Sequence, residues 1–208
     1  MRNSSFNLAR QNQKVESKIV VALERISEAF RVLLWNESKD NSLSPIQIQL
    51  LIFIKFHSQD KCKVSYLADE FNMTKATISD SVKVLLTKEL LLTKELVTKE
   101  TDASDTRSYT LRLTTIGKHI ADKASLFASY LEKPIEALSE EQKSVILNGL
   151  LRMIDDLNKA GIITMQRMCF SCDYYTRNQG GHYCRLLNAA LAETELRLDC
   201  PEHELRSK

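Results

Sequence analysis

The sequence predicts a mainly α-helical protein with one small β element, and three observations carry that expectation. Glycine and proline are scarce, 5 and 3 in 208 residues, which favours helices with short connections over a sandwich or barrel. Apolar residues recur at the helical period through most of the chain up to about position 160. Strict alternation stands out in one place, Tyr109-Thr-Leu111-Arg-Leu113, as a half-buried strand requires.

Taken in order, Val15, Ile19, Val20, Leu23, Ile26, Phe30, Leu33 and Leu34 form an amphipathic stripe that fades over 36–41. Ser44-Pro45 supplies an N-cap and an N1 proline for a helix to about Phe56. That helix is apolar nearly all round, so it is expected to be a buried centre. Residues 61–64 read as a short strand. Ser65 then caps a short helix with Leu67, Ala68 and Phe71 inward, and Thr74 caps another across Asn72-Met73. In the latter, Ile78, Val82 and Leu85 fall at i, i+4 and i+7, one face of a helix. Its opposite face holds Ala76, Asp80, Lys83 and Thr87, flanked by Thr77 and Ser79. Small and polar residues there suit insertion into a groove.

Residues 90–100 are β-prone, and their Thr-Lys-Glu echoes at 87, 93 and 98 are too irregular for a solenoid. Residues 102–104 read as a hairpin turn and 108–113 as its return strand. These pieces together are the pattern of a winged helix-turn-helix: a helix for the major groove, and a hairpin carrying Arg107. The helical period then returns with Ile116, Ile120, Ala121, Ala124, Phe127 and Leu131, stopping near Pro134. Ser139-Glu-Glu-Gln142 matches a capping box for a last helix to about Ile163. Nothing within the chain obviously covers the apolar stripes at the two ends, which points to a partner subunit.

Charge adds little. Net charge is +2, and residues 61–118 hold ten Lys and Arg against eight Asp and Glu. Recognition must therefore rest on where a few basic side chains point. No apolar run approaches the ~18 residues of a membrane span, and no signal-like apolar core opens the chain. A cytoplasmic protein with no membrane partner is expected.

The five cysteines are unevenly placed. Four lie after position 166, as Cys169-x-x-Cys172, Cys184 and Cys200, accompanied by His182 and His203. In a cytoplasmic protein such clustering favours metal or redox chemistry over a disulfide framework. A Cys-x-x-Cys turn aims two sulfurs at one point, and a tail with little apolar material needs a staple. A helical stretch over 186–196 would fold back to bring Cys184 and Cys200 together. Structural zinc on Cys169, Cys172, Cys184 and Cys200 is the first reading. An iron–sulfur cluster on the same four is the alternative, and a metal-free thiol pair the third. His182 and His203 are substitute ligands. Cys62 stands alone, as small buried hydrophobes do, and His57 and His119 show no partner pattern.

With those residues in hand, the chain resembles the MarR family of bacterial transcription regulators over roughly Val15 to Ile163. The carrying residues are Leu67-Ala68, Met73-Thr-Lys-Ala-Thr-Ile-Ser79, Asp102-x-x-Asp105-x-Arg107 and Leu113-Thr114-x-x-Gly117. The resemblance implies a homodimer with intertwined terminal helices, holding two heads against a pseudo-palindromic duplex. It places Thr74 to Lys83 in the major groove and Arg107 in the minor groove. Glu89-Leu90 stands where the family commonly turns on glycine, and Asp80 where a basic residue is frequent. The cysteine tail lies outside the general family pattern.

The expected organisation is an N-terminal dimerisation helix and linker over 1–43, a winged DNA-binding domain over 44–117, dimerisation helices over 118–165, and a metal-binding tail over 166–208. The expected DNA-contacting residues are Thr74, Lys75, Ala76, Thr77, Ser79, Asp80, Lys83 and Arg107. Lys75 and Lys83 suit phosphates, Ala76 a thymine methyl, Asp80 a cytosine amine, and Thr77 and Ser79 either phosphate or a base edge. The expected function is a dimeric regulator that binds an operator in double-stranded DNA, with a small-molecule, metal or redox effector left open. A thiol or metal redox protein, or a protein-binding winged helix, is the alternative. No βαβ pattern, nucleophile–base constellation or phosphate loop supports an enzyme.

Overall fold

The computed structural model describes residues 4–87, 95–101, 109–164, 166–178 and 181–206, with only the backbone of Asn178 included. A short helix α1 (Leu8–Gln13) leads into the long α2 (Val15–Asp40). The apolar stripe fades at 36–41, yet the helix runs on to Asp40, where Ser38 donates its hydroxyl to the Leu34 carbonyl at 2.9 Å. Ser42 turns the chain in the left-handed region (φ 53°), and α3 (Pro45–Phe56) follows. Its start is a capping box: Ser44 Oγ accepts from Gln47 N, and Gln47 Oε1 accepts from Ser44 N at 2.8 Å.

The helix α3 is the buried centre its composition predicts. Leu50, Leu51, Phe53 and Ile54 pack with Leu67 and Ala68 of α4 (Val64–Glu70) and with Ile78, Val82 and Leu85 of α5 (Lys75–Leu86). Val97, Leu111 and Ala121 close the same core. No Ser65 cap exists: Ser65 lies inside α4, which begins at Val64, after Lys63 and without a side-chain cap. Asn72 makes the turn between α4 and α5 at φ 52°, a conformation Asn tolerates better than most residues. The segment expected as a strand at 61–64 is instead a 3₁₀ turn over Gln59–Lys61. It still lies beside the wing, because Leu111 N donates to the Cys62 carbonyl at 2.9 Å.

The wing is an antiparallel pair, β1 (Val97–Thr101) and β2 (Tyr109–Leu113), in register from Val97↔Leu113 to Thr101↔Tyr109. Val97 and Leu111 point inward, and Thr98, Lys99, Glu100 and Arg112 face solvent. The connection 102–108, with its expected turn and Arg107, lies outside the described residues, as do residues 88–94, which hold most of the first two echoes; the third, at 98–100, lies in β1 with its charges in solvent.

Helix α6 (Thr115–Ala124) is capped by Thr114, whose Oγ1 accepts from Gly117 N at 3.1 Å. A 3₁₀ turn leads to α7 (Ser129–Glu136), which continues two residues beyond Pro134. The helix thus stops near Pro134 as expected, two residues past it, since a missing N–H near a helix end costs a single hydrogen bond. Ser139 and Gln142 form the capping box of α8 (Glu140–Lys159).

Beyond α8 the tail folds as a three-stranded antiparallel sheet, β3 (Tyr175–Asn178), β4 (Gly181–Cys184) and β5 (Ala189–Leu191). The helix expected over 186–196 is absent: a turn through Asn188 (φ 52°), strand β5 and a 3₁₀ turn over Glu193–Glu195 take its place. Met168, Cys172, Tyr175 and Leu196 pack against Leu151 of α8, so the tail shares an apolar core with that helix.

Cys62 belongs to the head core, with no exposed surface, and burial pushes its thiol up to about 11. At pH 8 only about one in a thousand such thiols is ionised. Iodoacetamide is therefore expected to spare Cys62 in the folded protein and to label it after denaturation, as read by peptide mass mapping. Labelling at equal rates would mean that the head opens readily.

Candidate nucleic-acid interface and cysteine cavity

Helix α5 begins where Thr74 accepts a hydrogen bond from Thr77 N at 3.1 Å, and the two hydroxyls lie 2.8 Å apart. With Ile78, Val82 and Leu85 held in the core, the helix presents Thr74, Lys75, Ala76, Thr77, Asp80 and Lys83 to solvent, with Ser79 half-buried. The expected contact residues of this helix therefore share one accessible surface. Lys83 Nζ reaches Asp80 Oδ1 at 2.8 Å, and that hydrogen bond and charge hold the Lys83 ammonium above its ordinary pKa. Both side chains are largely exposed, so the pair is weak and open to exchange for a phosphate. Arg107, the expected minor-groove residue, is outside the described residues.

A second feature lies in the tail. Cys169 and Cys172 flank a 3₁₀ turn, with Cys172 N donating to the Cys169 carbonyl at 3.0 Å. Cys184 ends β4, and Cys200 sits on the C-terminal segment, where its N–H donates to the Arg167 carbonyl at 3.0 Å. All four cysteines line one cavity of about 30 Å³. Arg197 N donates to Cys169 Sγ at 3.3 Å, and its guanidinium lies 3.8 Å from Cys200 Sγ. Burial pushes the Cys169 thiol up, the Arg197 N–H works the other way, and the three neighbouring cysteines add to the rise. No disulfide joins the described cysteines. Among the described residues, no three Cys, His, Asp or Glu side chains converge closely enough to share a single ion.

The two histidines offered as substitute ligands are engaged away from the cavity. His182 is buried beside Tyr175 and Phe170, with its Nδ1 2.5 Å from the Tyr175 hydroxyl. Burial lowers its pKa. His203 Nε2 meets Ser171 Oγ at 3.0 Å.

Sequence reasoning missed Arg167. It is 5% exposed and joins tail to head. Its guanidinium donates to Tyr66 Oη at 3.0 Å, to Glu70 Oε1 at 3.2 Å and to Asp199 Oδ1 at 2.5 Å. It also lies over the Phe53 ring at 5.4 Å. Burial opposes its charge, but the hydrogen bonds to Glu70 and Tyr66 outweigh that and hold the guanidinium above its ordinary pKa. His57, without an evident partner in the sequence, is part of this junction. Its Nδ1 lies 3.0 Å from the Phe53 carbonyl, its Nε2 lies 3.2 Å from Arg167, and its ring stacks on Phe53 at 3.8 Å. The head partners of Arg167 are about a hundred positions away in the chain, so no local pattern announces them.

No family model matches the chain, and no curated protein matches it either. Solved structures do. An S. aureus MepR–DNA complex matches with a TM-score of 0.56 at 23% identity, over 66% of this chain and 97% of its own. Streptococcus pneumoniae FabT in complex with DNA matches with a TM-score of 0.57 at 22% identity, over 70% and 99%. A MarR transcriptional regulator from Methanosarcina mazei Go1 matches with a TM-score of 0.53 at 20% identity, over 67% and 98%. These are two DNA complexes and a transcriptional regulator. Those structures are matched almost end to end, so about a third of this chain has no counterpart in them. At such identities the likeness is one of fold: the protein has the mainly α, winged helix-turn-helix architecture of these structures.

Proposed function

We propose that the protein is a homodimeric, sequence-specific DNA-binding regulator of transcription. The observation that carries this reading is the exposed face of α5, small and polar beside a two-stranded wing, on a fold shared with proteins solved on DNA. Lys75 and Lys83 neutralise phosphates, Ala76, Thr77, Ser79 and Asp80 meet base edges or backbone, and Arg107 enters the minor groove. Because net charge is only +2, specificity comes from these few side chains and from the spacing of two heads, about one helical turn apart.

A second copy of the chain is the partner that suits the apolar faces. Ile19, Ile26, Phe30 and Trp35 of α2 are exposed, as are Val145 and Ile146 of α8. Leaving such surface in water is costly, whereas burying it against an identical subunit is not. None of the described helices is long and apolar enough to cross a membrane, and a regulator of this kind works in the cytoplasm with the DNA. A small-molecule effector would find room in a cleft of about 430 Å³ bordered by Tyr66, Asn158, Arg167 and His203.

The test is selection of a duplex from a random pool, followed by affinity measured against salt. Replacing Lys75 and Lys83 by Ala is expected to reduce the salt slope by about 0.9 for each phosphate no longer neutralised. Arg107→Ala is expected to weaken binding about tenfold or more. Unchanged affinity and slope in the triple variant would place the DNA-binding surface elsewhere.

A further inference from the structure

Three separate pieces of chain bring the four tail cysteines to one cavity, and the size of that cavity bears on what it holds. A single tetrahedral zinc, with Zn–S bonds of about 2.3 Å, draws four sulfurs to about 3.8 Å from one another and leaves no void between them. Here the four cysteines line a space of about 30 Å³ together with other residues, enough for a body at least as large as a water molecule. No three donors among the described residues converge on one ion. The rest of the wall is mixed, with Tyr175, Leu187 and Leu191 on one hand and the charged Glu195, Arg197 and Glu202 on the other. Arg197 supplies N–H groups toward Cys169 and Cys200. Four cysteines lining one cavity, with N–H donors aimed at two of the sulfurs, suit a polynuclear iron–sulfur cluster, which takes each as a thiolate ligand.

The same ligands lie next to the junction with the head. Cys169 follows Arg167 by two residues, Cys200 follows Asp199 by one, and Cys200 N is bonded to the Arg167 carbonyl. Arg167 and Asp199 are the tail side chains that meet Tyr66 and Glu70 of α4 and His57 beyond α3. Glu70 ends α4, and α5 begins five residues later. A group tying Cys169 to Cys200 therefore also fixes the two segments that grip the helix leading into α5.

We infer that Cys169, Cys172, Cys184 and Cys200 hold an iron–sulfur cluster, and that the head senses its presence through Arg167 and Asp199. The second half of this inference rests on the DNA-binding reading above; the first half does not. With the cluster in place, α4 and α5 are held in one arrangement for the duplex, and its loss relaxes them and weakens binding.

The full-length protein, purified without oxygen, is assayed for iron, acid-labile sulfide and zinc, and its visible absorption is recorded. Iron and sulfide in equal amounts, with broad visible absorption, are expected; about one zinc per chain, or neither metal, would overturn the cluster. Cys184→Ser is expected to lower both iron and sulfide, and the wild-type assay stands even if that variant folds poorly. Stripping the iron with a chelator is expected to weaken binding to the selected duplex at least tenfold. Asp199→Asn is expected to keep the cluster and reduce that difference. Duplex binding indifferent to the cluster would overturn the coupling. A cluster-bearing protein that binds no duplex in either form would instead overturn the DNA-binding reading and leave the cluster standing.

Discussion

Arg167→Ala is expected to lower the stability of the protein by about 3 kcal/mol, the cost of breaking a buried ion pair. Arg167 has a side chain only 6% exposed, and its removal leaves the Glu70 carboxylate, 18% exposed, without its cation. Tyr66 and His57 each lose a donor as well. The figure sits at the lower end of the range for buried pairs because Asp199, 61% exposed, rehydrates easily. Urea unfolding read by circular dichroism would measure it. The transition is also expected to broaden or divide, since the junction that makes head and tail unfold together is gone. A midpoint and slope like the wild type's would mean that Arg167 behaves as a surface residue.

Gly117→Ala is the other large effect, and its cause is steric. A Cβ at Gly117 would stand 2.0 Å from the Leu96 carbonyl oxygen and 3.0 Å from its carbon. Both are backbone atoms, so no flexible side chain moves aside. The close approach arises because Thr114 ties the start of α6 to the first wing strand: its N–H donates to the Leu96 carbonyl at 3.0 Å and its hydroxyl to the Glu95 carbonyl at 2.7 Å. Forcing these apart is expected to cost about 3 kcal/mol or more and to displace the wing. Thermal unfolding and duplex affinity should fall together; wild-type stability in this variant would show that the wing does not lie against α6 as described.

The local elements are largely legible in the sequence. The Ser44 and Thr74 caps, the Ser139–Gln142 capping box and the turn at Asn72-Met73 all depend on residues within four positions of one another, and each forms as expected. The alternation at Tyr109–Leu113 marks the return strand for the same reason. Errors fall where a local pattern has two outcomes. Residues 186–196 have leucines at a helical spacing, but the sheet edge at β4 offers backbone partners, and β5 pairs there. A strand over 61–64 would pair along the wing, and only the Cys62 carbonyl does so.

The sequence by itself determined the helical architecture, the exposed and buried faces of α5, and the gathering of cysteines in the last forty or so residues, because each is a matter of near-neighbour spacing. Only the tertiary structure decided that those cysteines line one cavity, with His182 and His203 outside its lining. It alone made Arg167 the hub between head and tail. Such features depend on side chains brought together from about thirty to a hundred positions away. Their pairing is set by packing and by the need to satisfy a buried charge, and no periodicity records it.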